Sequence, residues 1–66
     1  MKVYVVVKYT DVEVIDPATG EDTYITETSI VSVHSKKSDA NFERVYLTRE
    51  NKEDNVVYAF EEHELD

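Results

Sequence analysis

The sequence lacks cysteine and has only two histidines among its 66 residues. Without cysteine the chain forms no disulfide, offers no thiolate ligand to zinc and has no cysteine nucleophile. His34 and His63 are too few for an all-histidine zinc site, although carboxylates could complete one. A chain of this length is expected to fold as one small domain, residues 1–66, with a thin core.

Basic residues are also scarce, because seven Lys and Arg stand against fifteen Asp and Glu, for a net charge of −8. We expect no direct binding of nucleic acid through a basic face and no attraction to an anionic membrane. The apolar run at residues 3–7 is much shorter than a membrane span, and no signal-peptide pattern or N-x-[ST] sequon is present. The predicted localisation is cytoplasmic.

Residues 2–9 alternate as a β-strand does, with Val3, Val5 and Val7 on one face. Tyr4 and Val6 make the second face partly apolar, so this strand is expected to be central or to pack on both faces. Near residues 10–11 the apolar positions shift from odd to even numbers, which predicts a β-bulge there.

Residues 16–21 have the composition of a tight turn. Pro17 fixes φ at the first turn position, the Asp16 side chain can accept from backbone N–H groups, and Gly20 supplies a positive φ. A loop over residues 17–20 predicts a long β-hairpin whose second strand spans about 22–33. Its predicted pairs are Asp16 with Glu21, Val14 with Thr23, and Val12 with Ile25.

Residues 36–50 predict a short amphipathic helix, in which Phe42, Val45, Tyr46 and Arg49 follow N-cap candidates at helical spacing. Residues 42–48 would also suit a strand, and the sequence leaves that alternative open. A third strand is expected from residue 56 to residue 65. The predicted fold class is α+β, a long β-hairpin plus a third strand with one short helix packed on the sheet (ββαβ).

The charge is distributed unevenly along the chain: residues 1–34 carry −4, residues 35–49 carry +2 and residues 50–66 carry −6. If both acidic segments lie on a common sheet, they form one negative face with the helix turned away. Same-face residues of a strand lie ~6.8 Å apart, about twice the ~3.4 Å step between phosphates of one DNA strand. Rows of same-parity carboxylates, formed by Asp11 with Glu13 and by Glu62 with Glu64 and Asp66, could therefore stand where phosphates stand.

The opening strand MKVYVVVKY, the hairpin, the short helix and the closing acidic strand that ends in Glu64-Leu65-Asp66 resemble small ββαβ proteins of Gram-positive bacteria and their phages. In size and charge the chain is similar to the DNA-mimic inhibitors that large bacillus phages direct at the nucleoid protein HU. The resemblance implies a phage protein that acts in the host cytoplasm. It also implies that a basic host DNA-binding protein, with HU the leading candidate, is the partner.

We therefore expect an acidic DNA mimic that blocks access of a host DNA-binding protein to DNA. The alternative is a protein-binding adaptor or regulator that uses an exposed sheet edge. The five tyrosines and the two apolar faces of the first strand favour a homodimer. The expected partner-binding residues are Asp11, Glu13, Glu27, Glu61, Glu62 and Glu64.

The sequence predicts no enzyme activity, no cofactor and no metal site. Serines and threonines are plentiful, but a domain this small offers little desolvated volume for a catalytic triad. His63 lies among acidic residues in a spacing that matches no metal motif, and on a strand it would face away from Glu62 and Glu64.

Overall fold

The computed structural model of the chain describes residues 1–65. Its elements are β1 (Lys2–Ile15), β2 (Asp22–His34), α1 (Lys37–Glu50) and β3 (Val56–Glu64). The strands form one antiparallel sheet in the order β2-β1-β3. The predicted α+β fold with ββαβ order is confirmed, and residues 42–48 are helical rather than extended.

The hairpin has the predicted register, with Val14 opposite Thr23 and Val12 opposite Ile25. Its turn is held by local bonds: the Gly20 N–H donates to the Asp16 carbonyl at 2.7 Å, and the Ala18 N–H donates to Asp16 Oδ1 at 2.9 Å. Gly20 has φ 73°, a conformation that glycine adopts without steric cost. The turn chemistry therefore determines the hairpin.

The β-bulge lies elsewhere than predicted. The register between β1 and β2 shifts between Val6 and Val7, where Val31 is the extra residue on β2, and it runs regularly through residues 10–11. The shift of apolar positions from odd to even numbers has another cause. Beyond Thr10 the strand leaves β3 and continues with β2 alone, so its two faces have different neighbours there.

Helix α1 packs on the even-numbered face of β1, which we call the helix face. Val6 there is fully buried, as is Ala40 of the helix, and Val56 of β3 is 5% exposed. Tyr58 and Phe60 share this face with Val56, and the Arg44 guanidinium lies 5.9 Å from the centroid of the Phe60 ring.

The apolar residues of α1 lie mostly on its outer side. Phe42 is 75% exposed, and Val45 and Tyr46 are also exposed. Instead, Glu43 contacts the sheet: its Oε1 accepts from the Ser32 hydroxyl at 2.7 Å, and its Oε2 lies 2.9 Å from His34 Nε2. The helix is thus attached to β2 through polar contacts as well as through Ala40.

The opposite, odd-numbered side of β1 carries no helix, and we call it the open face. Alternation and register place these residues on it: Val3, Val5, Val7, Tyr9, Thr28, Ile30, Val33, Val57, Ala59, Glu61 and His63. The molecule is long and flat, 47 × 31 × 11 Å. No helix in residues 1–65 is long and apolar enough to cross a membrane.

Candidate functional site

The far half of the hairpin is a two-stranded ribbon that extends past the rest of the sheet. β3 last pairs with β1 where Val56 lies opposite Thr10, and beyond this point β1 continues to Ile15 beside β2. At the base of the ribbon, the Asp11 N–H donates to the Asn55 carbonyl at 2.9 Å, and Asn55 Nδ2 donates to the Asp11 carbonyl at 3.0 Å. These bonds tie the ribbon to the start of β3.

Residues 11–27 carry six carboxylates and no Lys or Arg, and we call them the acidic ribbon. The net charge of this segment is −6, which leaves −2 for the remainder of the chain. The folded molecule is therefore strongly polarised toward one end. The six carboxylates belong to Asp11, Glu13, Asp16, Glu21, Asp22 and Glu27.

The ribbon carries its charge on both faces and at its tip. Asp11, Glu13 and Asp22 lie on the open face, Glu27 lies on the helix face, and the other two carboxylates flank the turn. Asp11 is held in place by Thr26, whose hydroxyl donates to Asp11 Oδ1 at 2.8 Å. The six charges occupy about 20 Å of ribbon length, which averages one per ~3.4 Å when both strands and both faces are counted together, close to the charge density of one DNA strand.

The second group of predicted residues lies on β3, at the other end of the sheet. Glu61 is on the open face, where it accepts a 2.7 Å bond from the Tyr9 hydroxyl and lies 3.0 Å from His63 Nε2. The Tyr9 bond, followed by the His63 bond, lowers the pKa of the Glu61 carboxyl, and the same contact raises the pKa of Tyr9. Glu61 is thus already engaged within the chain.

Glu62 and Glu64 lie on the helix face, opposite Tyr4 and Lys2 of β1. Glu62 is 3.9 Å from Lys2 Nζ, and Glu64 is 3.4 Å from the amino group of Met1. Both ion pairs are exposed, so they contribute little to stability, but they partly neutralise these carboxylates. This end of the sheet is consequently less negative than the ribbon.

The structure therefore divides the six predicted contact residues. Asp11, Glu13 and Glu61 share the open face, whereas Glu27, Glu62 and Glu64 are on the helix face. Along β1, Glu61 is opposite Val5, about 20 Å from Asp11. The predicted row of Glu62, Glu64 and Asp66 ends outside the described residues, because Asp66 is not among them.

The ribbon adds three carboxylates that the sequence reasoning did not single out, those of Asp16, Glu21 and Asp22. A signal for them was present, since no Lys or Arg occurs between Lys8 and Lys36. The net charge of −4 for residues 1–34 includes Lys2 and Lys8, which hides the higher negative charge of the stretch that follows them. The charge contrast emerges when the stretch without basic residues is considered alone.

A second surface of note is the apolar part of the open face. It forms a groove of about 510 Å³, and Ile30, Val33 and Leu65 on its walls remain exposed. The groove has residues of β2 on one side and residues of β3 on the other. Its lining residues are Val3, Val5, Val7, Thr28, Ile30, Val33, Glu61, His63 and Leu65.

Ser32, His34 and Glu43 form a polar cluster between β2 and α1, and the same residue types occur in catalytic triads. In a triad the imidazole lies between the hydroxyl and the acid, with one ring nitrogen toward each. Here Nε2 of His34 faces both the Ser32 hydroxyl, at 3.0 Å, and Glu43, and Ser32 bonds directly to Glu43. The cluster thus has the geometry of a helix anchor.

Metal-ligating side chains are not grouped in the described part of the chain. Residues 1–65 contain no set of three or more His, Asp or Glu placed to hold a metal ion. His63 shares its face with Glu61 and is on the opposite face from Glu62 and Glu64, as the strand assignment predicted.

Comparison with protein-family models, with curated proteins and with solved structures finds no match for this chain.

Proposed function

We propose that this protein is an acidic DNA mimic that binds a basic host DNA-binding protein and blocks its access to DNA. An HU-like nucleoid protein is the leading candidate for the partner. The observation that carries the proposal is the acidic ribbon, which holds −6 of the net charge of −8 and extends past the helix and β3.

The shape and charge of the ribbon suit a protein that grips DNA. HU-family proteins hold DNA with basic β-arms, and the ribbon offers such arms a narrow rod with an average of one carboxylate per ~3.4 Å of its length, about the charge density of one DNA strand. Electrostatic complementarity of this kind speeds encounter and excludes partners that lack a basic surface. The ribbon is accessible from both faces, since its residues are largely exposed.

Within this proposal Asp11, Glu13 and Glu27 make the main contacts. Glu61, Glu62 and Glu64 form a secondary acidic surface at the other end of the sheet, where ion pairs and the Tyr9 bond already engage them. A partner that spans the whole molecule would meet both groups, because the long axis measures 47 Å.

Charge reversal in the ribbon tests this assignment. The double variant E13K/E27K should weaken the complex at least about tenfold, because it places like charges opposite the partner's basic residues. The double variant E50K/E53K changes the net charge equally, outside the ribbon, and should weaken binding far less. If E13K/E27K and E50K/E53K lose the same amount of affinity, the ribbon is not the contact surface. The same conclusion follows if K36A/K37A loses as much affinity as E13K/E27K.

A tagged pull-down from bacterial lysate with a rising salt gradient identifies the partner. The proposal predicts a basic DNA-binding protein that elutes at moderate salt and is displaced by duplex DNA. A non-basic partner that remains bound at high salt would contradict mimicry.

The outer edge of β2 favours a second candidate function, that of an adaptor or regulator. β2 is an edge strand of 13 residues without the Lys or Pro that commonly protect such edges. An extended segment of another protein could pair with it by β-strand addition. Such binding should change little with salt, which distinguishes it from mimicry.

A further inference from the structure

The open face exposes several large apolar side chains, although the chain as a whole is strongly charged, with a net charge of −8. Ile30 is 71% exposed, Val57 60% and Val33 59%, and Val3 and Val5 lie between them on β1. Where β1 pairs with β3, Glu61 is the one acid on this face, and His63 and Tyr9 contact it. Asp11, Glu13 and Asp22 lie on the same face farther out, on the ribbon. This face therefore combines exposed apolar side chains with little free charge at its centre.

The molecule also exposes more surface than its mass predicts. A monomeric protein of 7.7 kDa is expected to expose about 4300 Å², whereas this chain exposes 5164 Å². Its radius of gyration is 15.2 Å, against about 11 Å for a compact domain of this length. The excess area, about 800 Å², comes from the protruding ribbon and from the open face together, and it is similar to the area that each partner buries in a standard protein interface.

The interior is correspondingly small. Among the hydrophobic side chains of residues 1–65, only Val6, Val7, Ala40 and Val56 are buried. One helix covers one face of the sheet, and the second face leaves Ile30, Val33 and Val57 exposed to water, which marks it as an interaction surface. Any solution of the protein contains further copies of the chain, and each copy carries the same exposed apolar face.

We propose that two copies stack their open faces into a homodimer, related by a two-fold axis that crosses the strands near Val5 and Val7. Such an interface is isologous, with each copy contributing the same residues. The two sheets then form a sandwich with helices on the outside and an inner layer of valine and isoleucine side chains. This inference goes beyond the proposed function, because it requires no other protein.

Charge selects the orientation of the two copies. With an axis across the strands, the two acidic ribbons, each of −6, point in opposite directions. With an axis along the strands, both ribbons would lie at the same end and repel each other. The dimer is therefore expected to have an apolar centre and two acidic ends.

Sedimentation equilibrium of the purified chain tests the dimer. Wild type is expected to sediment as a dimer at about 100 µM, a concentration at which standard-size interfaces are occupied. Variant I30K should weaken association at least a hundredfold, because it places an ammonium group in the centre of the interface. The matched control is F42K, at an equally exposed apolar residue of α1, and it should remain dimeric.

Every outcome is decisive. A wild-type chain that is folded and monomeric at 500 µM would overturn the proposal and leave the face to a different molecule. Dimerisation that I30K does not weaken would overturn it as well. If I30K unfolds while F42K stays dimeric, the dimer is obligate. The wild-type melting temperature must then rise with protein concentration, and an unchanged temperature would reject the interface.

The absence of cysteine makes the orientation directly measurable. A single spin label on T19C reports the distance between the two turns by pulsed electron paramagnetic resonance. Opposed ribbons predict about 70–75 Å, from 11 residues of strand at ~3.2–3.4 Å each on either side of the axis. A distance below about 30 Å would show ribbons at one end and overturn the orientation. Failure here leaves the proposed DNA mimicry intact, because neither experiment contains a DNA-binding protein.

Discussion

At the scale of single residues, the Tyr9–Glu61 contact is the best-defined electrostatic feature. The Tyr9 hydroxyl bond, followed by the His63 bond, holds the pKa of Glu61 below its ordinary value of 4.5. A carboxyl whose pKa is lower in the folded state stabilises the fold above its unfolded pKa, and that contribution disappears as the pH falls through the folded value. We expect Y9F to raise the pKa of Glu61 toward its ordinary value.

Carbon-detected NMR titration of the Glu61 carboxyl measures this shift. The control is Y24F, because Tyr24 lies opposite Glu13 in the ribbon, far from Glu61. Identical Glu61 titration curves in wild type and Y9F would show that the hydroxyl bond is not formed in solution.

Gly20 carries the conformational requirement of the turn. Its φ of 73° is unfavourable for other residues, and apart from its two neighbours in the chain no described residue has an atom within 4 Å of where a Cβ would be. The effect of G20A is therefore purely conformational, and it should lower the free energy of unfolding by about 1–2 kcal/mol in urea titrations. G20N should lose less, since asparagine tolerates this region. Equal stability of G20A and wild type would argue against the turn.

At the scale of elements, α1 depends on a polar anchor. Removing the Glu43 carboxylate breaks its contacts with Ser32 and His34, so E43A should cost about 1–2 kcal/mol of unfolding free energy. The neighbouring variant F42A should cost less than about 0.5 kcal/mol, because the ring is 75% exposed. Chemical denaturation measures the free energy of unfolding of both variants. If F42A lost more stability than E43A, the helix would pack through its apolar stripe.

The same elements show what local sequence determines. The hairpin register followed from Asp16, Pro17 and Gly20, because a tight turn sets the pairing of the residues beside it. The helix boundaries were also predicted closely. The position of the bulge was not, since it depends on how β2 meets β1 near Val31, far from the turn in sequence.

The division of the acidic residues between faces could not be predicted for a related reason. Parity showed that Asp11 and Glu13 share a face, but it did not show which face the helix covers or where β3 ends. Both depend on contacts distant in sequence, such as Thr10 with Val56. Hence the predicted common negative face resolves into a ribbon and a separate acidic end.

At the scale of the whole molecule, the two proposed interactions respond to salt in opposite directions. Salt screens the repulsion between two chains of −8, so the homodimer should tighten between 50 and 500 mM NaCl. The complex with a basic DNA-binding protein should weaken over the same range. Sedimentation of the chain alone, and of the mixture, measures both. A dimer that dissociates as salt rises would indicate an interface held by ion pairs rather than by the apolar open face.

The decisive measurement for DNA mimicry is a competition experiment in which this protein and a labelled DNA duplex compete for an HU-family protein. The fluorescence anisotropy of the duplex reports how much of it remains bound. At 50 mM salt, a near-stoichiometric amount of wild-type protein should release the duplex. E50K/E53K should release it at nearly the same amount, whereas E13K/E27K should need at least about tenfold more protein. Continued binding of the duplex in the presence of excess wild-type protein at 50 mM salt, where screening is weak, would contradict DNA mimicry of HU.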